Sequence, residues 1–283
     1  MKISNEEKAG ILVEALPYIQ KYYNQIVVIK YGGKAMTSQE SQRRVIKDLV
    51  LLKQIGIKVV LVHGAEIETA KMLDKMNIEC QVVDGIQKLD NDAISVVQMA
   101  LAGKVNKDLV NLIQISGANA IGLCGIDGHM IKAKPLSCKL GFQGDIESVD
   151  TKQIISALDA GLIPVIGSLG CDSQGNIYNI NADTVAARIS GELKAISLIV
   201  MGDTKGILKD KNDNESLVTQ ISVSEVPQLI KEKVMSGDMI AKAACCVEAI
   251  RRGVQKVFIL DGGQSHAILV EILSDKGIGT MFV

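Results

Sequence analysis

The sequence contains no tryptophan and no low-complexity tract, and 22% of its residues are charged while 47% are apolar. This balance excludes a disordered chain and a fibrous design, because there is enough apolar surface to form a core. At 283 residues the chain exceeds a typical single domain. We therefore expect either two lobes or one large α/β domain.

Signals for export or membrane insertion are also missing. The chain begins MKISNEE, without the cationic start and unbroken apolar stretch of a signal peptide. No apolar run reaches the roughly 18 residues that span a bilayer. We therefore expect a cytoplasmic protein that does not contact membranes. The net charge of −1 gives no overall positive field, so nucleic acid is not an expected partner.

The cysteines show neither CxxC spacing nor a histidine at metal-ligand distance: Cys80, Cys124, Cys138, Cys171, Cys245 and Cys246. We interpret them as reduced and predict no metal site built from side chains. Cys245 and Cys246 are adjacent, but successive helical side chains point in different directions, so core packing is the favoured interpretation.

Short β-branched apolar runs recur along the chain, each followed by a turn and then by a stretch with helical spacing. The strand candidates are residues 26–30, 58–63, 120–124, 163–168, 195–201 and 256–260. Their nearly continuous apolar character indicates strands that are buried on both faces, as in a parallel sheet covered by helices. We predict a doubly wound α/β sandwich.

Amphipathic helices are predicted between these strands by apolar residues at three-to-four residue spacing. The candidates are residues 42–55, 66–76, 92–113, 151–160, 183–193 and 238–252. Gly56, Gly161 and Gly253 follow three of them, where a left-handed residue commonly ends a helix. The segment 132–148 lacks helical spacing and is predicted to form a hairpin beside the sheet.

Ahead of the first strand, residues 6–23 have helical spacing that is interrupted by Pro17. A proline at this position kinks a helix. An apolar helix outside the sheet must cover some surface, and the sequence leaves open whether that surface is on its own subunit or on a neighbouring one.

Two common nucleotide-binding motifs, GxxxxGK followed by Ser or Thr and GxGxxG after the first strand, are absent. The first strand instead ends in Lys30, which is followed closely by Gly32 and Gly33. Such a strand end lets backbone N–H groups approach an anion while the ammonium group neutralises its charge. Taken alone, a glycine pair after a strand indicates only a turn.

Two further stretches bring polar groups to the start of helices. YNINAD brings in Asn179, Asn181 and Asp183, and GDMIAK brings Lys242 into the first turns of another helix. Each stretch alone also fits ordinary helix capping.

Six segments together resemble successive motifs of the N-acetylglutamate kinases, a branch of the amino-acid kinase family: IKYGGKAM, AGKVNKDLVNLI, GLIPVIGSLG, YNINADTVA, GDMIAKAACCVEAI and HAILVEILSDKGIGTM. They follow the family's order and cover nearly the whole chain. The resemblance implies a three-layer αβα sandwich with a central, mainly parallel sheet and an N-terminal kinked helix. It also implies an enzyme of arginine biosynthesis that uses ATP and Mg²⁺ to phosphorylate the side-chain carboxylate of N-acetyl-L-glutamate.

The resemblance also assigns roles to individual residues. Lys30 and Lys242 would offset charge on the transferring phosphoryl group, and Asp183 would hold both lysines in position. The expected binding residues are Gly32, Gly33 and Gly64 for the phosphates, Gln87, Asn179 and Asn181 for the substrate, and Asp203 and Gly206 for the nucleotide. A carboxylate nucleophile is already ionised at neutral pH, so no general base is required.

The sequence departs from the family pattern mainly on the substrate side. After the second strand the family has HGGGP, whereas residues 63–66 read HGAE, which is shorter and poorer in glycine. A Cβ and a nearby carboxylate both work against a backbone anion site. Gln87 replaces an arginine that clamps the substrate's α-carboxylate, and Lys88 is the candidate to substitute for it as a positive point charge. Gly263 replaces another family arginine.

Three interpretations of these departures remain open. The chain is an acetylglutamate kinase with reorganised contacts, a kinase for a different acyl amino acid, or a catalytically weak regulatory relative.

By resemblance, residues 1–23 form an oligomerisation helix, residues 24–170 an N-terminal lobe for acyl amino-acid binding and dimerisation, and residues 171–283 an ATP-binding lobe. In family members inhibited by arginine, the N-terminal helix interlaces dimers into a hexamer, and arginine binds between this helix and the C-terminal segment. We expect a homo-oligomer, either a dimer-based hexamer or a plain dimer. Glu271 and Gly277 are the expected effector residues for L-arginine as a feedback inhibitor.

Overall fold

The computed structural model describes residues 4–36, 38–210, 213–275 and 277–283. The strands within these residues are β1 (Ile26–Tyr31), β2 (Lys58–His63), β3 (Val82–Val83), β4 (Ile86–Gln87), β5 (Ala120–Cys124), β6 (Ile131–Pro135), β7 (Gly144–Val149), β8 (Ile163–Gly167), β9 (Leu169–Cys171), β10 (Ile177–Asn179), β11 (Ser197–Gly202), β12 (Gln220–Ile221), β13 (Lys256–Asp261) and β14 (Thr280–Phe282). The α-helices are α1 (Asn5–Glu14), α2 (Leu16–Tyr22), α3 (Gln39–Gln54), α4 (Glu66–Lys75), α5 (Asn91–Gln98), α6 (Asn106–Ile115), α7 (Lys152–Asp159), α8 (Ala182–Glu192), α9 (Val226–Lys231), α10 (Asp238–Arg251) and α11 (Ala267–Leu273).

The central sheet has the strand order β12-β14-β13-β11-β1-β2-β8-β5. Its neighbouring strands pair in parallel, except that β14 runs antiparallel to β13. All six predicted strands belong to this sheet, which confirms the predicted mainly parallel α/β architecture. Parallel strands end at the same edge of a sheet, so the residues that follow β1, β2 and β11 are neighbours in space.

Strand β1 shows why the sheet is covered on both faces. Its side chains alternate across the sheet, as they do in any strand. Val27 and Ile29 belong to one core cluster, which also contains Leu49 of α3. Val28 belongs to a second cluster, with Ala186 of α8. The helices and the sheet therefore form three layers, as predicted.

The six helices predicted between the strands are present with one difference, and α9 and α11 were not predicted. The helix predicted over residues 92–113 is present without a break, but α5 and α6 are joined by a π-helical segment, Met99–Val105. Apolar spacing continues through this segment, so periodicity alone does not reveal the wider turns. The glycines predicted to end helices, Gly56, Gly161 and Gly253, all have positive φ.

A smaller sheet lies beside the central one, with the order β10-β9-β6-β7. Antiparallel pairing of β6 with β7 confirms the predicted hairpin over 132–148. Strands β9 and β10 were not predicted, because three residues carry too little periodicity to distinguish a strand from a loop. Strands β3 and β4 form a separate short hairpin.

The N-terminal helix is broken at Ala15, between α1 and α2, with Pro17 in the first turn of α2. This confirms the predicted kink. None of the residues in α1 is buried, whereas Tyr22 of α2 belongs to a core cluster. Within the described part of the chain, every helix is too short or too polar to cross a membrane.

Candidate active site

Three charged side chains meet at the edge of the central sheet where its parallel strands end. Lys30 is the penultimate residue of β1, and Asp183 and Lys242 lie near the starts of α8 and α10. The Nζ atom of Lys30 lies 2.9 Å from Oδ1 of Asp183, and Nζ of Lys242 lies 3.9 Å from Oδ2. The Asp183 side chain is 9% exposed and that of Lys242 26% exposed. The structure thus brings the three predicted catalytic residues together, with the acid between two ammonium groups.

The N-terminus of α8 fixes the position of Asp183. Oδ1 of Asn181 accepts hydrogen bonds from the backbone N–H groups of Asp183, at 2.8 Å, and of Thr184, at 3.2 Å. Asn181 is therefore the N-cap of this helix. Because its oxygen is used in capping, its NH₂ group is the part of the side chain that remains for a ligand.

The glycines after β1 leave room for charged side chains. A Cβ on Gly32 would lie 2.8 Å from Nζ of Lys30, so the lysine side chain folds over this part of the backbone. Gly33 has φ +60, and a Cβ there would overlap the carboxylate of Asp203. A side chain at either position would displace a charged group. Such close backbone approach suits phosphate binding, which remains a prediction for both glycines.

The two predicted nucleotide-binding residues line one cavity of about 360 Å³. Asp203 and Gly206 share it with Lys242 and with Asp238, the first residue of α10. Gly206 has φ +147, and a Cβ there would overlap the hydroxyl group of Thr280. Tight packing against the C-terminal strand therefore explains the glycine at this position.

The three predicted substrate residues line a second cavity of about 610 Å³, to which Gln87, Asn179 and Asn181 all contribute. Part of its wall is apolar: Leu89, Val97, Leu101 and Leu136. Asp238 lines this cavity as well as the smaller one, so the two adjoin at the start of α10. We call them the acceptor cavity, of about 610 Å³, and the nucleotide cavity, of about 360 Å³.

Gln143, which is not among the predicted site residues, links two walls of the acceptor cavity. Its Nε2 atom donates a hydrogen bond to the backbone oxygen of Gln87, at 2.8 Å. Its Oε1 atom accepts one from Nδ2 of Asn179, at 3.0 Å. Gln143 precedes β7 in the predicted hairpin, and nothing in the sequence there indicates hydrogen bonds to Gln87 and Asn179. Asp238 was also not predicted, although it is the second residue of the GDMIAK stretch.

The segment after β2 contains an acid where the family pattern has glycines. A Cβ on Gly64 would lie 2.5 Å and 2.6 Å from the carboxylate oxygens of Glu66, so this side chain folds over the Gly64 backbone. Glu66 opens α4, and the N-cap residue Ala65 offers no side-chain hydrogen bond. The predicted phosphate-binding Gly64 is therefore covered by a carboxylate of its own chain.

The surroundings of His63 and Cys245, which lie near the site, keep both side chains uncharged. Burial lowers the pKa of His63 to about 4, so the ring is neutral. Nδ1 lies 3.0 Å from the backbone oxygen of Gly64, and Nε2 lies 3.1 Å from Nδ2 of Asn106. These partners assign the proton to Nδ1. Burial raises the pKa of Cys245 to about 11, so its thiol is protonated and a poor nucleophile.

The predicted effector residues lie in a third cavity of about 500 Å³, between α2 and the C-terminal segment. Glu271 and Gly277 line it together with Tyr18 and Lys21 of α2. Oε2 of Glu271 accepts hydrogen bonds from the backbone N–H groups of Ile278, at 2.9 Å, and of Gly279, at 3.3 Å. One oxygen of the carboxylate thus holds the C-terminal segment. We call this the α2 cavity.

Solved structures of other enzymes share this fold. N-acetylglutamate synthase from Neisseria gonorrhoeae, solved with coenzyme A and N-acetyl-glutamate, superposes with a TM-score of 0.85 at 24% identity; the match covers 97% of this chain and 63% of that one. The present chain thus spans less than two thirds of the synthase. Giardia carbamate kinase superposes with a TM-score of 0.69 at 15% identity, over 92% of this chain and 99% of that one. Both likenesses concern the fold alone.

Sequence comparison is more specific. The acetylglutamate kinase of Brachyspira hyodysenteriae is 48% identical over 282 residues, covering 99% of this chain and 98% of that protein. The acetylglutamate kinase of Clostridium kluyveri is 46% identical over 277 residues, covering 97% and 98%. Residues 25–261 match the Amino acid kinase family. The chain therefore belongs to the amino acid kinase family, within the group of the acetylglutamate kinases.

Proposed function

We propose that this protein transfers the γ-phosphoryl group of ATP to the side-chain carboxylate of N-acetyl-L-glutamate, a step of arginine biosynthesis. The observation that carries the proposal is Asp183, buried between the ammonium groups of Lys30 and Lys242. Lys242 lines the nucleotide cavity, and Asn181 and Thr184, which flank Asp183, line the acceptor cavity. One cavity suits a nucleotide and the other an acyl amino acid. The acetylglutamate kinase relatives, which match over nearly the whole chain, support the same reaction.

The chemistry requires positioning and positive charge rather than proton transfer. A lone pair of the substrate carboxylate attacks the γ-phosphorus, and the bond to the β,γ-bridging oxygen breaks, so that ADP leaves with the electron pair. Lys30 and Lys242 offset the charge on the phosphoryl oxygens, while Asp183 keeps both ammonium groups in place before the substrates arrive. No side chain has to act as a base, because the nucleophile is an anion already.

The residues at the site fit a magnesium ion that arrives with the nucleotide. Among the described residues, no group of three or more His, Cys, Asp or Glu side chains could hold a metal by itself. Mg²⁺ commonly keeps several waters and binds nucleotide phosphates together with one or two carboxylates. Asp203 and Asp238, which line the nucleotide cavity, are the carboxylates that would complete its shell, and the ion would supply further positive charge.

The binding roles in this proposal follow the two cavities. Asn179, Asn181 and Gln87 contact the acyl amino acid, and Asp203 and Gly206 contact the nucleotide. Gly32 and Gly33 donate backbone hydrogen bonds to the phosphates. Gly64 contributes only if the Glu66 carboxylate moves away from its backbone.

The lobes and the regulation are part of the same proposal. Residues 24–170 form the acyl amino-acid lobe and residues 171–283 the ATP lobe, with the acceptor cavity between them. Residues 1–23 join dimers of the cytoplasmic enzyme into a hexamer. L-arginine binds in the α2 cavity as a feedback inhibitor, where Glu271 and Gly277 supply a carboxylate and a close backbone.

The decisive experiment traps the product as a hydroxamate. We expect an acyl hydroxamate from N-acetyl-L-glutamate and ATP with Mg²⁺, and none with the Lys30→Met variant. If protein that binds ATP yields no trapped product with any N-acylated acidic amino acid, the kinase proposal is wrong. A panel of acyl amino acids tests the alternative that a different one is the preferred substrate.

One observation favours a second candidate, a weakly catalytic regulatory subunit. The carboxylate of Glu66 covers the Gly64 backbone, where the family pattern has an anion site. In that case restoring the family's glycine segment and an arginine by Gln87→Arg should raise activity from near zero. Efficient turnover by the unmodified protein rules this candidate out.

A further inference from the structure

We propose that the acceptor cavity holds the α-carboxyl end of its substrate through neutral amide groups rather than through a charge pair. The α-amide of N-acetyl-L-glutamate, in which that end carries no charge, is then as good a phosphoryl acceptor as the free acid. This inference rests on the proposed function, because it concerns the substrate of the same reaction.

The charges around the acceptor cavity favour an uncharged α end. Glu66 and Asp145 line the cavity, as does Asp238 at its junction with the nucleotide cavity, and none of the described residues that line it is a lysine, an arginine or a histidine. Lys30 and Lys242 are grouped around Asp183, where the phosphoryl group is transferred. An ionised α-carboxylate at the other end of the substrate therefore meets like charge without a partner, which weakens its binding.

The amide side chains supply the alternative contacts. Gln87, Gln143, Asn179 and Asn181 all line the cavity, and Gln143 connects Asn179 to the backbone of Gln87. An amide offers both donors and an acceptor, whereas a carboxylate only accepts. The oxygens of Asn181 and Gln143 already accept hydrogen bonds within the protein. A substrate carboxamide can therefore use the NH₂ groups and the remaining side-chain oxygens of this wall, but a substrate carboxylate can use the NH₂ groups only.

Glu66 also lies at the N-terminus of α4, a part of the cavity that could otherwise attract an anion. The N-terminus of α4 would attract an anion through its backbone N–H groups and its dipole. The carboxylate of Glu66, the first residue of this helix, already lies at that end, over the backbone of Gly64. Any anionic group of a substrate that approached this N-terminus would have to compete with an acid of the protein for the same place.

Lys88 does not supply a positive charge to the acceptor cavity. It follows Gln87 in the β3–β4 hairpin, and its backbone N–H continues the hairpin hydrogen bonds by donating to Gln81, at 2.8 Å. Successive side chains along a strand point to opposite faces. Gln87 lines the cavity whereas Lys88 is not one of its lining residues.

The phosphoryl transfer itself is the same for the acid and for its α-amide. The side-chain carboxylate oxygen forms a bond to the γ-phosphorus, the bond to the bridging oxygen breaks, and ADP leaves with that electron pair. No proton moves, and the amide takes no part in bond making.

The test compares kcat/KM for N-acetyl-L-glutamate and for its α-amide, N-acetyl-L-isoglutamine, by ADP release. A buried charge pair that loses one partner commonly costs about 30-fold or more. We expect the amide to be within about tenfold of the acid, and a larger deficit of the amide overturns the inference. Turnover of the acid alone overturns only this inference, whereas no turnover of either compound overturns the proposed function as well.

Variants test which residues set the preference between acid and amide. The measured quantity is the ratio of kcat/KM for the acid to kcat/KM for the amide, which does not depend on the fraction of protein that folds. Gln87→Arg should shift the preference between acid and amide toward the acid by about tenfold, and Glu66→Gln should shift it the same way by several-fold. Gln255→Arg is the matched control, because Gln255 is exposed and precedes β13 at the opposite edge of the sheet. A Gln87→Arg ratio equal to that of the control overturns the assignment of the α end to this wall.

Discussion

The ammonium group of Lys30 lies 2.9 Å from the carboxylate of Asp183, and the two side chains are only 11% and 9% exposed. Removing both charges from water is costly, so a buried pair of this kind is weak support for stability. In the proposed mechanism its value lies in preorganisation, because the cation would already be oriented where negative charge is transferred. Lys242 is farther from the acid and more exposed, so it is the lysine with more freedom to follow the phosphoryl group.

Replacing the acid between the lysines tests this relationship. In Asp183→Asn the two ammonium groups lose their shared counter-ion, and we expect kcat to fall by about 10²- to 10³-fold. Steady-state ADP release and ATP binding would be measured on the same protein. The control is Asp159→Asn, which removes an acid from an exposed pair with Lys58 and should leave kcat unchanged. A kcat for Asp183→Asn close to that of the control would contradict the assigned role.

A second prediction concerns the space above Gly32. A methyl group in Gly32→Ala would lie 2.8 Å from Nζ of Lys30, so the lysine has to move away from its place beside Asp183. We expect kcat to fall by about tenfold or more, with little change in melting temperature. Gly10→Ala is the control, because a Cβ there meets nothing within 4 Å. Equal kcat values for the two variants would show that the position of Lys30 is not critical.

The sequence predicts the sheet because its strands are encoded locally. Val27 to Ile29 are apolar and precede Lys30, and the glycines follow at once. The cluster of Lys30, Asp183 and Lys242 is expected only from the family resemblance, because the three residues are distant in the chain. The linkage through Gln143 could not be predicted, because its partners Gln87 and Asn179 are distant in sequence. The contact of Glu66 with Gly64 depends on how α4 begins. Strands β9 and β10 are too short for their periodicity to show, and pairing within the fold stabilises them.

The free energy of unfolding is expected to depend on pH through Asp48, whose Oδ1 atom lies 2.6 Å from Nδ1 of His266. Burial raises the pKa of Asp48 from 3.8 to about 6, although the hydrogen bond with His266 offsets part of the rise. Between these values the folded chain holds a proton that the unfolded chain has released. The proton on Asp48 therefore contributes on the order of 3 kcal/mol to the free energy of unfolding. This contribution is complete below the unfolded pKa and is lost as the pH rises through about 6.

Urea unfolding of the Asp48→Asn variant would measure this effect. Relative to the variant, the unmodified protein should lose unfolding free energy between about pH 4 and about pH 7. Asp74→Asn, at an exposed position of α4, is the control and should follow the unmodified protein. If the difference between Asp48→Asn and the unmodified protein is the same at both pH values, the pKa of Asp48 is not raised.

Arginine inhibition is expected to depend on the charge of Glu271. Its Oε2 atom holds the backbone N–H groups of Ile278 and Gly279, so Glu271→Ala would also loosen the C-terminal segment. Glu271→Gln keeps an accepting oxygen and removes the charge. We expect this variant to need at least about tenfold more arginine for half-inhibition, at unchanged uninhibited kcat. An unaltered inhibition curve would place the effector elsewhere.

Assembly is expected to depend on α1, which has no buried residue although Leu12 and Val13 are 71% and 69% exposed. Apolar side chains of this kind need a covering surface, and a second copy of the helix can provide it.

Deletion of residues 1–14 is a sharper test than deletion of 1–23, because Tyr22 of α2 is part of the core. We expect the intact chain to sediment as a hexamer and the shortened chain as a dimer, and Leu12→Glu to have the effect of the deletion. The matched control is Glu14→Gln, which changes an exposed polar residue of the same helix and should leave the hexamer intact. If the deletion changes the particle mass only by the missing residues, α1 packs on its own subunit and the interlaced assembly is wrong.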